Sequence, residues 1–168
     1  MILLLATILP SIIIVLFFVL SDKFKEPNAE IIKVFFYGIL ITIPAFFINT
    51  YLSGIWDATQ MDEGLRSSFF TAAPVEEGLK LAVLYFLVYK MKDFNEPIDG
   101  IVYGVTVSLG FATLENFYYV YILADYYETT PIYMAFLRSF SAVPAHGIFG
   151  VFMGYFFMRY AFVKRGDN

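Results

Sequence analysis

The 168-residue chain is 60% hydrophobic and only 15% charged, with a formal net charge of −4 and no cysteine. A water-soluble domain normally carries about a quarter charged residues, so this chain cannot hide its apolar surface in one soluble core. The missing cysteines exclude disulfides, thiolate metal sites and a cysteine nucleophile, and the acidic balance excludes nucleic acid as a partner.

Long apolar runs separated by short charged stretches predict an all-α, polytopic transmembrane helix bundle of five to six spans, forming one domain over residues 1–168. The first span is residues 1–20. It has no charge, no basic lead and no Ala-x-Ala site, so it is read as a retained span rather than a signal peptide. The second is 31–52, the third 67–89 and the fourth 98–123. The fifth, 131–163, would approach ~50 Å as one helix, which predicts tilt, a kink at Pro144 or a broken helix.

Loop charges alternate. Lys23, Lys25 and Lys33, then Lys90 and Lys92, then Arg159, Lys164 and Arg165 fall on one side. Asp57, Asp62 and Glu63 with only Arg66, then Asp125 and Glu128, fall on the other. The positive-inside rule therefore predicts an extracytoplasmic N-terminus and a cytoplasmic C-terminus. Tyr118, Tyr119, Tyr121, Tyr126 and Tyr127 fit an interfacial aromatic belt at the outer end of the fourth span.

Six ionisable residues interrupt the spans: Glu76, Glu77 and Lys80 in the third, Glu115 in the fourth, Arg138 and His146 in the fifth. Each charge at a helix centre costs about 2.5–3.5 kcal/mol, so such groups face a bundle interior or a wet cavity. Glu76, Glu77 and Glu115 all fall roughly 12–15 Å below the outer surface, with His146 somewhat deeper. Glu76 precedes Lys80 by four residues on one helical face, while Glu77 reaches Lys80 at three. One glutamate pairs with Lys80 or Arg138 and the other is free to act as a general base on water; spacing leaves open which is which. The bland reading is an interhelical ion-pair network with Lys80 and Arg138 in structural roles, Glu115 partnering Arg138 and Asp99 a helix cap. Asn116 is suited to an interhelical hydrogen bond, or to donation toward an oxyanion. Gly100, Gly104, Ser108 and Ala112 form a small-residue face on the fourth span, and Ala145, Gly147, Gly150 and Gly154 another on the fifth.

A single histidine excludes His-Glu-x-x-His chemistry, no buried serine has a Gly-x-Ser-Gly setting, and no aspartate lies deep in a span. The buried charges also fit a proton- or cation-coupled carrier or channel, or a catalytically silent membrane scaffold.

The motifs carry a family resemblance. Pro74-Val75-Glu76-Glu77-Gly78-Leu79-Lys80 resembles the EExxK motif of PrsW-type intramembrane proteases, in the wider CAAX-processing-type group. Phe111, Glu115 and Tyr119 resemble their FxxxExxxY motif. Glu96-Pro97-Ile98-Asp99-Gly100, Tyr103-Gly104 and Gly110 are similar to its lead-in, and Arg138 with His146 to the third region. The likeness covers roughly residues 70–155. It implies an endopeptidase of the bacterial plasma membrane that cuts a single-span, anti-sigma-factor-like protein in the bilayer near the extracytoplasmic side. Glu76 and Glu77 would activate water, Glu115 and His146 would complete the site, and Lys80, Arg138 and Asn116 would support it. The metallo class of the family implies a divalent metal such as zinc on Glu77, Glu115 and His146. One position departs: the third motif is often HxxxD, and here Gly150 stands at the acid's place.

Overall fold

The computed structural model describes residues 1–56 and 71–166. The loop charges Asp57, Asp62, Glu63 and Arg66 and the expected start of the third span at Ser67 lie outside the described residues. The described chain is an all-α bundle. Helices α1 (Ile2–Ser21) and α2 (Asn28–Trp56) cover the first two apolar segments. Helix α3 (Ala73–Phe86) ends in a 3₁₀ turn, Val88–Lys90. Helix α4 (Pro97–Tyr118) continues into a π-helical turn, Tyr119–Leu123. The last segment is two helices, α5 (Pro131–Phe140) and α6 (Ala142–Arg165).

Among the described residues, four stretches are long and apolar enough to cross a membrane: Ile2–Ser21, Asn28–Ile55, Pro97–Leu123 and Pro131–Lys164. Helix α3 is not among them. Its 14 residues span about 21 Å and include Glu76, Glu77 and Lys80. The outward faces of α1, α2 and α6 expose Phe17, Phe36, Phe47, Phe152 and Phe156 to the surroundings. That is the expected surface of a bundle whose solvent is hydrocarbon.

The break in the last segment comes at Ser141 (φ −120°, ψ −80°), ahead of Pro144. Pro144 is the third residue of α6, a position whose N–H has no partner in the helix, so the ring is accommodated without a kink. The break lets α5 pack on α1 while α6 lies along α4.

Helix α4 is the axis. It packs most extensively on α6, then on α2, then on α1, and it is buried along nearly its whole length. Glycines permit this. A Cβ at Gly104 would lie 2.5 Å from the Gly150 carbonyl oxygen, and one at Gly154 would lie 2.2 Å from that of Gly100. The small-residue faces expected on the two spans therefore meet backbone to backbone. A second seam was not anticipated: Gly38 of α2 and Gly110 of α4 bring those helices equally close. At the start of α4, Asp99 caps the helix as expected, accepting hydrogen bonds from the Glu96 and Asn95 N–H groups.

Candidate active site

Helix α3 opens with Pro74 in its first turn, and Glu76 and Glu77 follow at once. Their duties differ. Glu77 Oε1 is 2.6 Å from the Lys80 Nζ, and Lys80 is completely buried. Glu76 points elsewhere and, among the described residues, receives only a long hydrogen bond, 3.4 Å, from Asn49 of α2. The pairing that spacing left open is thus Glu77 with Lys80.

Glu115 and Asn116 come from the last turn of α4, Arg138 from the end of α5 and His146 from the second turn of α6. Arg138 donates through its terminal nitrogen to Glu115 Oε2 and through Nε to Asn116 Oδ1, and its guanidinium lies 3.9 Å over the Tyr119 ring. Asn116 in turn donates to the Thr7 carbonyl of α1 at 3.1 Å, the interhelical bond expected of it. His146 is held from both sides: Nε2 is 3.1 Å from Glu115 Oε2, and Nδ1 is 2.9 Å from Lys80 Nζ. An ammonium at Lys80 donates to Nδ1, which leaves the neutral ring's proton on Nε2, donated to Glu115. Lys80 also sits 4.4 Å over the Phe111 ring, whose face offers a second partner to the buried charge.

These contacts bring six of the expected residues into one linked network running Glu77–Lys80–His146–Glu115–Arg138–Asn116. Glu76 stands beside it. One donor atom each from Glu76, Glu115 and His146 lie within 4.8 Å of one another. The expected set put Glu77 in Glu76's place. The ~100° between adjacent helix positions, with Glu77 drawn to Lys80, accounts for the exchange. Glu76 and Glu115 also line a cavity of about 520 Å³ whose remaining wall is almost wholly apolar, including Phe46, Phe47, Phe111 and Leu114. Among the described residues, the network thus meets a space able to take an apolar chain.

Sequence reasoning missed Asn49 and gave no role to Phe111. Asn49 is a lone amide in an apolar run, the one signal that marks it. Gly150 is explained by packing: a Cβ there would lie 2.7 Å from the Gly104 carbonyl oxygen and 2.8 Å from Val105 Cα. An aspartate at that position faces α4 backbone, so the bundle as packed has no room for the family's acid.

The sequence profile described as PrsW family intramembrane metalloprotease matches residues 26–168. The chain belongs to this family. It is similar to Protease PrsW of Geobacillus kaustophilus (strain HTA426), 37% identical over 166 residues, which cover 95% of this chain and 67% of that protein. Protease PrsW of Bacillus subtilis (strain 168) is 36% identical over 153 residues, 90% of this chain and 65% of the relative. Protease PrsW of Clostridioides difficile (strain 630) is 33% identical over 159 residues, 94% and 66% respectively. The chain thus spans about two-thirds of the length of these relatives. No solved structure matches it. The PrsW family is one of membrane proteases, and its metallo class implies a metal.

The residues fit such an ion. Two carboxylates and one imidazole within 4.8 Å form a three-ligand set of the kind that leaves a position open for water. For His146 Nε2 to serve as ligand, the ring proton must move to Nδ1, where the Lys80 nitrogen accepts it only as a neutral amine. Cation binding here is therefore coupled to proton release.

Proposed function

We propose that this PrsW-family chain is an intramembrane endopeptidase that hydrolyses a peptide bond of a single-span, anti-sigma-factor-like membrane protein, with water activated by a glutamate. The observation that carries this reading is the convergence of Glu76, Glu115 and His146, with Glu76 and Glu115 lining an apolar cavity. A hydrolase in lipid needs a base, an acid and a place to hold an apolar segment, and these residues supply all three.

Glu76 is the carboxylate with the weakest protein partner, which suits it to take a proton from water as the oxygen attacks the scissile carbonyl. His146, whose Nε2 proton is shared with Glu115, is the group of the cluster suited to pass a proton toward the developing oxyanion or the leaving amine. Arg138 and Lys80 are positioning residues that orient Glu115 and His146. A zinc ion, if held, would sit on Glu76, Glu115 and His146 and would polarise the carbonyl and acidify its bound water. Residues 1–168 act as one membrane-embedded unit of the bacterial plasma membrane. The distribution of Lys23, Lys25, Lys33, Lys90 and Lys92 supports an extracytoplasmic N-terminus, and so cleavage near the extracytoplasmic face.

The test compares membrane-protein termini in cells producing wild type or Glu76→Gln at matched abundance. New termini near the extracytoplasmic edge of single-span proteins, present only with wild type, are expected. Identical termini at rest and under envelope stress would overturn the proposal, and proton-coupled uptake by reconstituted protein would put a carrier in its place.

A further inference from the structure

A second polar cluster lies at the other end of α4, about 24 Å along the helix from Glu115. Asp22 just beyond α1, Glu26 in the connection to α2 and Asp99 in the first turn of α4 converge there, and an oxygen of each lies within 4.8 Å of an oxygen of the others. All three residues are more than nine-tenths buried, at 6%, 7% and 0% exposure. Among the described residues, no lysine or arginine pairs with any of them.

Each carboxylate is anchored from outside the cluster through one oxygen. The Phe24 N–H donates to Asp22 Oδ1 at 3.1 Å, the Tyr103 hydroxyl to Glu26 Oε2, and the Asn95 and Glu96 N–H groups to Asp99 Oδ2 at 2.8 and 2.6 Å. The opposite oxygens of two of them, Asp22 Oδ2 and Asp99 Oδ1, are buried and receive no hydrogen bond. An orphaned buried carboxylate oxygen is costly, and two of them in one all-acid cluster demand positive charge. Burial, with the Asp99 and Asp93 carboxylates adding to it, pushes Glu26 up to about 7 against the hydrogen bond from Tyr103. A proton on Glu26 can bridge to Asp99. It cannot also serve Asp22 Oδ2.

We propose that Asp22, Glu26 and Asp99 bind a hard divalent cation, Mg²⁺ or Ca²⁺, that ties the α1–α2 connection to the start of α4. An all-oxygen, all-carboxylate donor set selects hard ions over zinc or copper, and waters complete the shell. The anchoring hydrogen bonds fix the ligands as outer partners do in metal sites generally. This inference does not depend on the protease reading.

The test uses the full chain in detergent with Glu76→Gln and His146→Ala introduced, so that the other possible cation cluster is removed. After chelation, MgCl₂ and CaCl₂ are titrated separately while the melting temperature is followed. Tb³⁺ luminescence, sensitised by tyrosine, is read in parallel. A saturable rise in melting temperature is expected. Asp22→Asn and Glu26→Gln, which keep an acceptor for their anchoring donors, should each weaken apparent affinity at least about tenfold. Tyr103→Phe should dim the Tb³⁺ emission, and this readout stands even if a carboxylate variant does not fold. A melting temperature flat to about 10 mM of either ion, above the weakest affinities such sites show, would overturn the proposal. So would a response that survives both substitutions unchanged. A cluster stabilised by a shared proton alone would show a more stable Glu26→Gln and no ion response in the parent, which also overturns it.

Discussion

The two polar clusters at the ends of α4 are built to opposite rules. The cluster around Glu115 alternates acid and base, so that Lys80 and Arg138 each lie against a carboxylate and share His146 and Asn116 between them. The cluster around Asp99 holds only acids. Mixed charge inside a bundle largely pairs with itself, and among the described residues of that cluster Glu76 receives only the long bond from Asn49. A set of like charges cannot be satisfied by its own members, and is stable only with a partner from solution. The first arrangement suits chemistry on a bound chain, the second suits holding an ion.

The largest test of this contrast is Glu76→Gln, which removes the free carboxylate and leaves the ion-pair network whole. Cleavage of a tethered reporter is expected to fall by about 10²–10⁴-fold with no loss of folded protein, and retained cleavage would assign the base elsewhere. Next comes Lys80→Met. It strands Glu77 and His146 inside the bundle, and a loss of about 3–5 kcal/mol is expected in denaturant unfolding, partly restored by adding Glu77→Gln. A single-mutant loss under 1 kcal/mol would show that the network is wet and contributes little to the fold. Gly154→Ala probes what links the two ends. Its Cβ would press the Gly100 carbonyl oxygen at 2.2 Å and the Ile101 Cα at 2.7 Å. Separation of α4 and α6 should cost about 1–3 kcal/mol and lower cleavage as well, read from melting and reporter turnover of the same preparation. The smallest effect carries the opposite sign. In chelator, Asp22→Asn relieves repulsion in the acid cluster and is expected to raise stability by about 1 kcal/mol, whereas removing Lys80 from the mixed cluster lowers it.

Much of this site was legible from residue types alone. Charges such as Glu115 and Arg138 are so costly in lipid that their presence in an apolar run marks a bundle interior. Equal depth on antiparallel helices follows from a constant rise per residue, which is why Glu76, Glu77 and Glu115 were expected at one level, with His146 somewhat deeper. Asn49 was not legible, because one amide among phenylalanines in α2 has no periodicity to betray it. Nor was the choice between Glu76 and Glu77. Both lie within reach of Lys80, and only the rotation of α3 against α4 and α6 decides which carboxylate meets the ammonium.

By itself the sequence determined that the chain is helical, membrane-spanning and furnished with ionisable groups inside its apolar segments, since hydropathy and helical rise are local properties that any neighbours must obey. Tertiary structure decided the rest. The break at Ser141, the glycine seams that set how closely α4 meets α2 and α6, and the convergence of Asp22 with Asp99 depend on residues far apart in the chain. Helices pack by the shape of their surfaces, and side chains many residues apart become partners only when that packing sets each helix's rotation and height.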